Sequence, residues 1–263
     1  MTGPDGGGEQ LIAEAFAGHG RRAAFMPYLM GGHPDVPTSR ACMEAAAESG
    51  ADLIELGVPF SDPLADGPVI HAAGTQALAA GVTPDAVFDV CESVAHRLPV
   101  VLMVYANLVL NAGIDEYPRR AAASGAAGLI VPDLPHEEAG ELRRSCEDAG
   151  IALVPLVAPT TPEARMAEIG GDARGFVYAV SLTGTTGERQ QLPPELHAMV
   201  DRVRAATTSP VAVGFGISTP DQASAVADLA DGVIVGSRVV RAAGEGGPAA
   251  VAEVVAELAG SLA

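Results

Sequence analysis

The sequence predicts an α/β chain: a (β/α)8 TIM barrel built as one domain over residues 1–263, with a flexible leader at 1–9 and an extra helix near the N-terminus. Three observations carry that expectation. Short runs rich in Val, Ile and Leu recur eight times, segments with helical apolar spacing separate them, and 263 residues is the length of an eight-unit barrel. A doubly wound open sheet is the alternative architecture, but it usually has fewer strands at this length.

The elements follow in order. "MTGPDGGGEQ" reads as leader, since it carries Asp5 and Glu9 and lacks the apolar core of a signal peptide. The strand runs are "AFMPYLM", "DLIELGV", "VVLMVY", "GLIVPDL", "ALVPLVA", "GFVYAVS", "PVAVGFG" and "GVIVGS". Continuous apolar character, rather than strict alternation, marks strands buried on both faces. Between them, "TSRACMEAAAESGA" and "PDAVFDVCESVAHRL" have helical spacing and good helix formers. The longest gap, between the second and third runs, holds an added helical segment around residues 70–80. Glycines in "SGAD", "SGAAG" and "AGIA" mark helix ends. No linker-like shift in composition divides the chain.

Composition narrows the function. A formal net charge of −18 argues against nucleic acid and against an anionic membrane surface, so any phosphate must be held by local donors. No apolar run approaches the ~20 residues that span a bilayer. The fifteen basic residues are all arginine. Without lysine, neither a Schiff-base aldolase mechanism nor covalently held pyridoxal phosphate is open to this chain. Cys42, Cys91 and Cys146 have no metal or redox spacing and fall in helical segments, which reads as buried thiols in a reducing compartment. "HEEAG" at His136 fails the zinc spacing H-E-x-x-H, so no metal site is expected.

In a barrel, chemistry sits at the C-terminal strand ends. The polar and glycine-rich residues gather there: Glu55 with the loop "PFSDPLADGP", Tyr105, Asn107, Asp133, "SLTGTTGER", "GFGIS" and "GSR". Alternation turns Leu53, Glu55 and Gly57 to one face of their strand and Ile54, Leu56 and Val58 to the helix-covered face, so Glu55 points into the barrel. An inward glutamate serves either as a proton-transfer group with a raised pKa or as a structural partner to a core hydroxyl. Asp66 in the same proline-rigid loop adds a second carboxylate, while Asp62 shapes the turn. Gly214, Gly216, Gly236 and Ser237 end the last two strands, where glycines either admit a phosphate to backbone N–H groups or only turn the chain. Arg238 either adds charge there or is a solvated helix residue. "SLTGTTGERQQLPPE" is either a lid or a plain exposed loop.

The motifs "LIELGVPFSDPLADGPVI", "VYANLVLNAGIDEY", "PDLPHEEA", "VSLTGTTGER", "GFGIS" and "VIVGS", in that order, closely resemble the tryptophan synthase α subunit family over residues 24–241. The resemblance implies a (β/α)8 barrel and a lyase that splits indole-3-glycerol phosphate into indole and glyceraldehyde 3-phosphate in tryptophan biosynthesis. It implies Glu55 as general acid–base and Asp66 as acceptor of the indole N–H. It assigns the indole pocket to Phe25, Ile70, Tyr105, Ile130, Tyr178 and Ile234. Phosphate contacts map to Gly187, Phe215, Gly216, Gly236 and Ser237, and the lid to residues 182–195, with Thr186 reaching Asp66 on closure. It also implies a cytoplasmic α2β2 heterotetramer whose β subunit carries pyridoxal phosphate, this chain holding no cofactor. Departures from the family pattern are mild: Leu182 and Thr185 in the lid, and His33 and His71 beside the first loops. The alternatives are a free-standing lyase releasing indole for other metabolism, a catalytically silent activating subunit, and another phosphate-binding barrel of the same pathway.

Overall fold

The computed structural model describes residues 7–180, 195–214 and 216–263. Helix α1 (Gly8–Gly18) precedes β1 (Ala24–Met30), α2 (Val36–Glu48) and β2 (Ile54–Gly57). Two helices, α3 (Pro68–Ala79) and α4 (Pro84–Ala95), then lead to β3 (Val100–Met103), and α5 (Ala106–Ala112) and α6 (Glu116–Ala123) to β4 (Gly128–Ile130). Helix α7 (Gly140–Ala149) is followed by β5 (Ala152–Val154) and β6 (Leu156–Val157), then α8 (Glu163–Gly171) and β7 (Val177–Val180). The chain ends with α9 (Glu195–Ala206), β8 (Val211–Gly214), α10 (Pro220–Ala227), β9 (Gly232–Val235) and α11 (Ser237–Gly260).

All pairings are parallel, in the order β5-β4-β3-β2-β1-β9-β8-β7-β6. Only Pro155 separates the two edge strands, so the sheet's ends are consecutive pieces of one run and the barrel closes through that proline. Among the described residues the eight apolar runs thus become nine strands. Pro155 has no N–H to donate, and pairing breaks where it sits. The run still serves both neighbours: β5 pairs with β4, and β6 pairs with β7.

Alternation divides the core into two layers. Inside the barrel lie Met26, Tyr28, Leu53, Val101, Ile130 and Tyr178, among others; against the helices lie Phe25, Leu29, Ile54, Leu56, Leu102 and Val213. Helix α1 plugs the N-terminal end, with Ile12 fully buried in the inner layer and the Phe16 ring 5.5 Å from that of Phe176. Gly8 and Glu9, expected within a leader at 1–9, belong to this helix, and residues 1–6 lie outside the described residues. Gly8 lies so close to the sheet that a Cβ there would fall 2.1 Å from the Ala127 carbonyl oxygen.

Local signals explain the helix ends. Asp35, Thr83 and Thr219 each accept an N–H bond from the first turn of the helix they precede, and a proline opens that turn. The three glycines read as stops, Gly50, Gly125 and Gly150, all have positive φ. No helix among the described residues is long and apolar enough to cross a membrane.

Candidate active site

The C-terminal mouth of the barrel opens into a cavity of 1740 Å³ whose walls include Tyr28, Glu55, Asp66, Tyr178, Gly236 and Ser237. Parallel pairing sets Tyr28 of β1 directly beside Glu55 of β2. The Tyr28 ring fits because residue 57 is glycine: a Cβ there would lie 1.9 Å from the phenol oxygen. Gly214 does the same for Tyr178, where a Cβ would lie 2.3 Å from the hydroxyl. Two inward tyrosines, each accommodated by a glycine, therefore narrow the mouth around one carboxyl.

That carboxyl is unusual. Glu55 is 1% exposed, and neither of its oxygens has a hydrogen-bond partner among the described residues. Burial, reinforced by the negative charge of Asp66, pushes its pKa up to about 8. At neutral pH the group holds its proton. The physical reason lies one step back in the sequence, which places an acid on the inward face of a strand flanked by apolar residues.

Asp66 is held differently. The loop from β2 to α3 folds back so that the Tyr105 hydroxyl donates to Asp66 Oδ1 at 3.0 Å and accepts the Ala65 N–H at 3.1 Å. Phe60 stacks on the Tyr105 ring at 5.2 Å, fixing the phenol from the other side. Burial raises the Asp66 pKa, while the Tyr105 hydrogen bond and the nearby His71 oppose that rise. Burial raises both acids, Glu55 further through the charge of Asp66, while the Tyr105 bond and His71 restrain the rise at Asp66.

The remaining expected residues divide. Ile70, Tyr178 and Ile234 line the cavity with Met103, and so do Gly216, Gly236 and Ser237, the last opening α11. Three others do not form the wall. Phe25 lies on the opposite face of β1, packed in the helix-facing layer; Tyr28, which the sequence reading passed over, takes the inward position. The alternation that oriented Glu55 would have found it. Ile130 is inside the barrel in register with Met103 and Val154 of the wall but is not itself part of it, and Tyr105 holds Asp66 through its hydroxyl. Gly187, Phe215, Thr186, Leu182 and Thr185 lie outside the described residues.

Other reactive groups are elsewhere and quiet. The three cysteines are buried in α2, α4 and α7, with burial pushing Cys42 up to about 11 and Cys91 and Cys146 up to about 12. Among the described residues no cluster of three or more His, Cys, Asp or Glu side chains is placed to hold a metal ion.

The family model described as "Tryptophan synthase alpha chain" matches residues 16–261. The chain belongs to the tryptophan synthase alpha chain family. The tryptophan synthase alpha chain of Carboxydothermus hydrogenoformans is 48% identical over 87% of this chain and 87% of its own. The solved structure of Mycobacterium tuberculosis tryptophan synthase superposes with a TM-score of 0.90 at 39% identity, covering 98% of this chain and 99% of that one. A chain of the Pyrococcus furiosus tryptophan synthase α2β2 complex gives a TM-score of 0.85 at 37% identity, over 91% and 98% of the two chains. Membership of the tryptophan synthase alpha chain family makes this chain an enzyme of tryptophan biosynthesis, with the family's lyase reaction on indole-3-glycerol phosphate.

Proposed function

We propose that Glu55 and Asp66 together carry the retro-aldol cleavage of indole-3-glycerol phosphate, within a single barrel domain that acts as the α subunit beside a β subunit. The observation that carries this reading is the Glu55 carboxyl, buried on the cavity wall with both oxygens unpartnered among the described residues. A buried acid left unsatisfied costs stability, and substrate contact is what would satisfy it.

The steps balance with one proton. Protonated Glu55 gives its proton to the indole ring carbon that bears the glycerol chain, making a positively charged indolenine. Asp66 accepts the ring N–H through its second oxygen, and its negative charge stabilises that cation. Glu55, now a carboxylate, takes the proton of the adjacent glycerol hydroxyl. The carbon–carbon bond breaks, its electron pair returns to the ring, and the hydroxyl carbon leaves as the aldehyde of glyceraldehyde 3-phosphate. Glu55 ends protonated, as it began. A pKa near 8 suits a group that must act as acid and then as base near neutral pH.

In this reading Ile70, Tyr178 and Ile234, with Tyr28 and Met103, enclose the flat apolar ring. Backbone N–H groups of Gly216, Gly236 and Ser237, at the start of α11, bind the phosphate. Gly187 and Phe215, and Thr186 as the lid residue, keep the roles that the family resemblance assigns them. The β subunit would own the pyridoxal phosphate, since a chain without lysine cannot bind it as a Schiff base. The cytoplasm is the compartment that suits three buried free thiols.

Indole release from indole-3-glycerol phosphate tests this, with the chain alone and with a β subunit, beside Glu55→Gln. Weak release alone, strong stimulation by the partner and loss in the variant are expected. Equal turnover in Glu55→Gln would overturn the assignment, and no release under either condition would leave only a binding role.

A further inference from the structure

Arg238 immediately follows Ser237, is partly buried, and is bonded on two sides. Its Nη1 donates to the Ser218 carbonyl at 2.9 Å, and its Nη2 donates to Glu257 Oε2 at 2.5 Å. Ser218 lies two residues beyond Gly216, in the loop between β8 and α10. The same residue is gripped from its other side: the Gln222 side-chain oxygen accepts the Ser218 N–H at 2.8 Å, its hydroxyl at 3.3 Å and the Thr219 N–H at 3.2 Å. Gln222 is 5% exposed and completes the capping box of α10 with Thr219.

We infer that Arg238, braced by Glu257, is a positioning residue that holds the two walls of the phosphate cradle at a fixed separation, and so sets affinity for the phosphate end of the substrate. The inference rests on the phosphate reading above. One wall is the loop carrying Gly216, and the other is the start of α11 carrying Gly236 and Ser237. Within one clamp the Ser218 N–H is fixed by Gln222 on α10, and the following carbonyl is fixed by Arg238 on α11. Neutral loops alone would leave these donors free to separate. Glu257 comes from the far half of α11, beyond the non-helical backbone at Gly247, so it ties the guanidinium to a separate helical segment. Among the described residues neither Glu55 nor Asp66 is bonded to any member of the clamp, so loosening the cradle should leave the chemical step alone.

Steady-state cleavage of indole-3-glycerol phosphate by the full chain with β subunit present, with Tm recorded for each variant, tests it. Arg238→Met should raise KM about tenfold with kcat within about twofold, because the loss falls on binding rather than on the transition state. Arg238→Lys, which keeps one cationic donor for the Ser218 carbonyl, should recover most of the KM. If Arg238→Met fails to fold, Glu257→Ala decides: it frees the guanidinium without removing it, and should raise KM about two- to threefold. Ser237→Asp separates the two claims by putting a negative charge in the cradle itself. A steep KM rise in Ser237→Asp with an unchanged KM in Arg238→Met would overturn the clamp alone. An unchanged KM in Ser237→Asp would overturn the phosphate reading and the clamp with it. A fall in kcat at constant KM in Arg238→Met would also sink the clamp.

Discussion

Asp52 and Glu55 stand three residues apart on the same stretch of chain, the first just before β2 and the second inside it, and their surroundings are opposite. Asp52 accepts the Phe25 N–H at 2.7 Å and forms an ion pair with Arg21. Asp231, at the start of β9, repeats the pattern: it accepts the Val211 N–H at 2.8 Å and pairs with Arg204 at 2.7 Å. At the N-terminal end each of these acids joins a strand to its neighbour and is neutralised by an arginine. On the cavity wall Glu55 has no hydrogen-bond partner among the described residues, and Asp66 accepts the Tyr105 hydroxyl. The same residue class therefore does two jobs. Acids paired with arginine join the strands, and the acid without a partner among the described residues faces the cavity.

The contrast breaks most sharply by exchanging each carboxyl for its amide. Glu55→Gln should lower kcat/KM about 10³-fold or more, the usual range for losing a proton-transfer group, with no loss of Tm. A variant that keeps its activity would place the chemistry elsewhere in the cavity. The next effect is on stability against pH. In the unfolded chain Glu55 ionises near its ordinary 4.5, whereas the folded chain holds the proton to about 8. Between those values the folded state keeps a proton that the unfolded state has released, so raising pH through the window favours unfolding. The Tm of Glu55→Gln minus that of the natural chain should therefore grow from pH 5 to pH 8 and level off above it. A difference that stays flat would mean that Glu55 is ionised in the folded protein. Smaller again is Asp52→Asn, which leaves Arg21 half-buried without its counter-charge and should cost about 1–3 kcal/mol, read as a lower Tm with kcat/KM per folded molecule unchanged.

How much of this was open to a reading of the sequence depends on the range of the interaction. The strands were legible because burial on both faces imposes a continuous apolar run, and Glu55 was legible because alternation needs only its own strand. Pro155 is in plain view in "ALVPLVA", yet its effect on pairing emerges only when the neighbours on both sides are known. Phe25 shows what happens when a role is carried over by resemblance without the alternation test: β1 turns Phe25 to the helices and Tyr28 to Glu55. Tyr105 needed more still. Its hydroxyl meets Asp66 across 39 residues because a proline-bearing loop folds back over the barrel, and no local pattern encodes that return. The grip of Arg238 on Ser218 spans 20 residues and two loops, so composition could only offer it as a charge of unknown purpose.

Tyr105→Phe is the mildest change and the one that sharpens the comparison at its acidic end. It keeps the ring and its stacking on Phe60 and removes only the hydroxyl that donates to Asp66. That hydrogen bond holds the Asp66 pKa down against burial, so its loss should move the pKa upward. If Asp66 must be a carboxylate to receive the indole N–H, the low-pH limb of kcat/KM should shift to higher pH in Tyr105→Phe. The high-pH limb, set by Glu55 losing its proton, should stay near 8 in both proteins. At neutral pH the loss should be about tenfold or less, since one hydrogen bond to a charged group is being removed. A profile that falls uniformly at every pH would mean that Tyr105 only props the loop. A moved acid limb with a fixed alkaline limb would mean that the two carboxyls titrate as the two ends of one proton relay, one restrained by a tyrosine hydroxyl and the other raised by burial without a hydrogen-bond partner among the described residues.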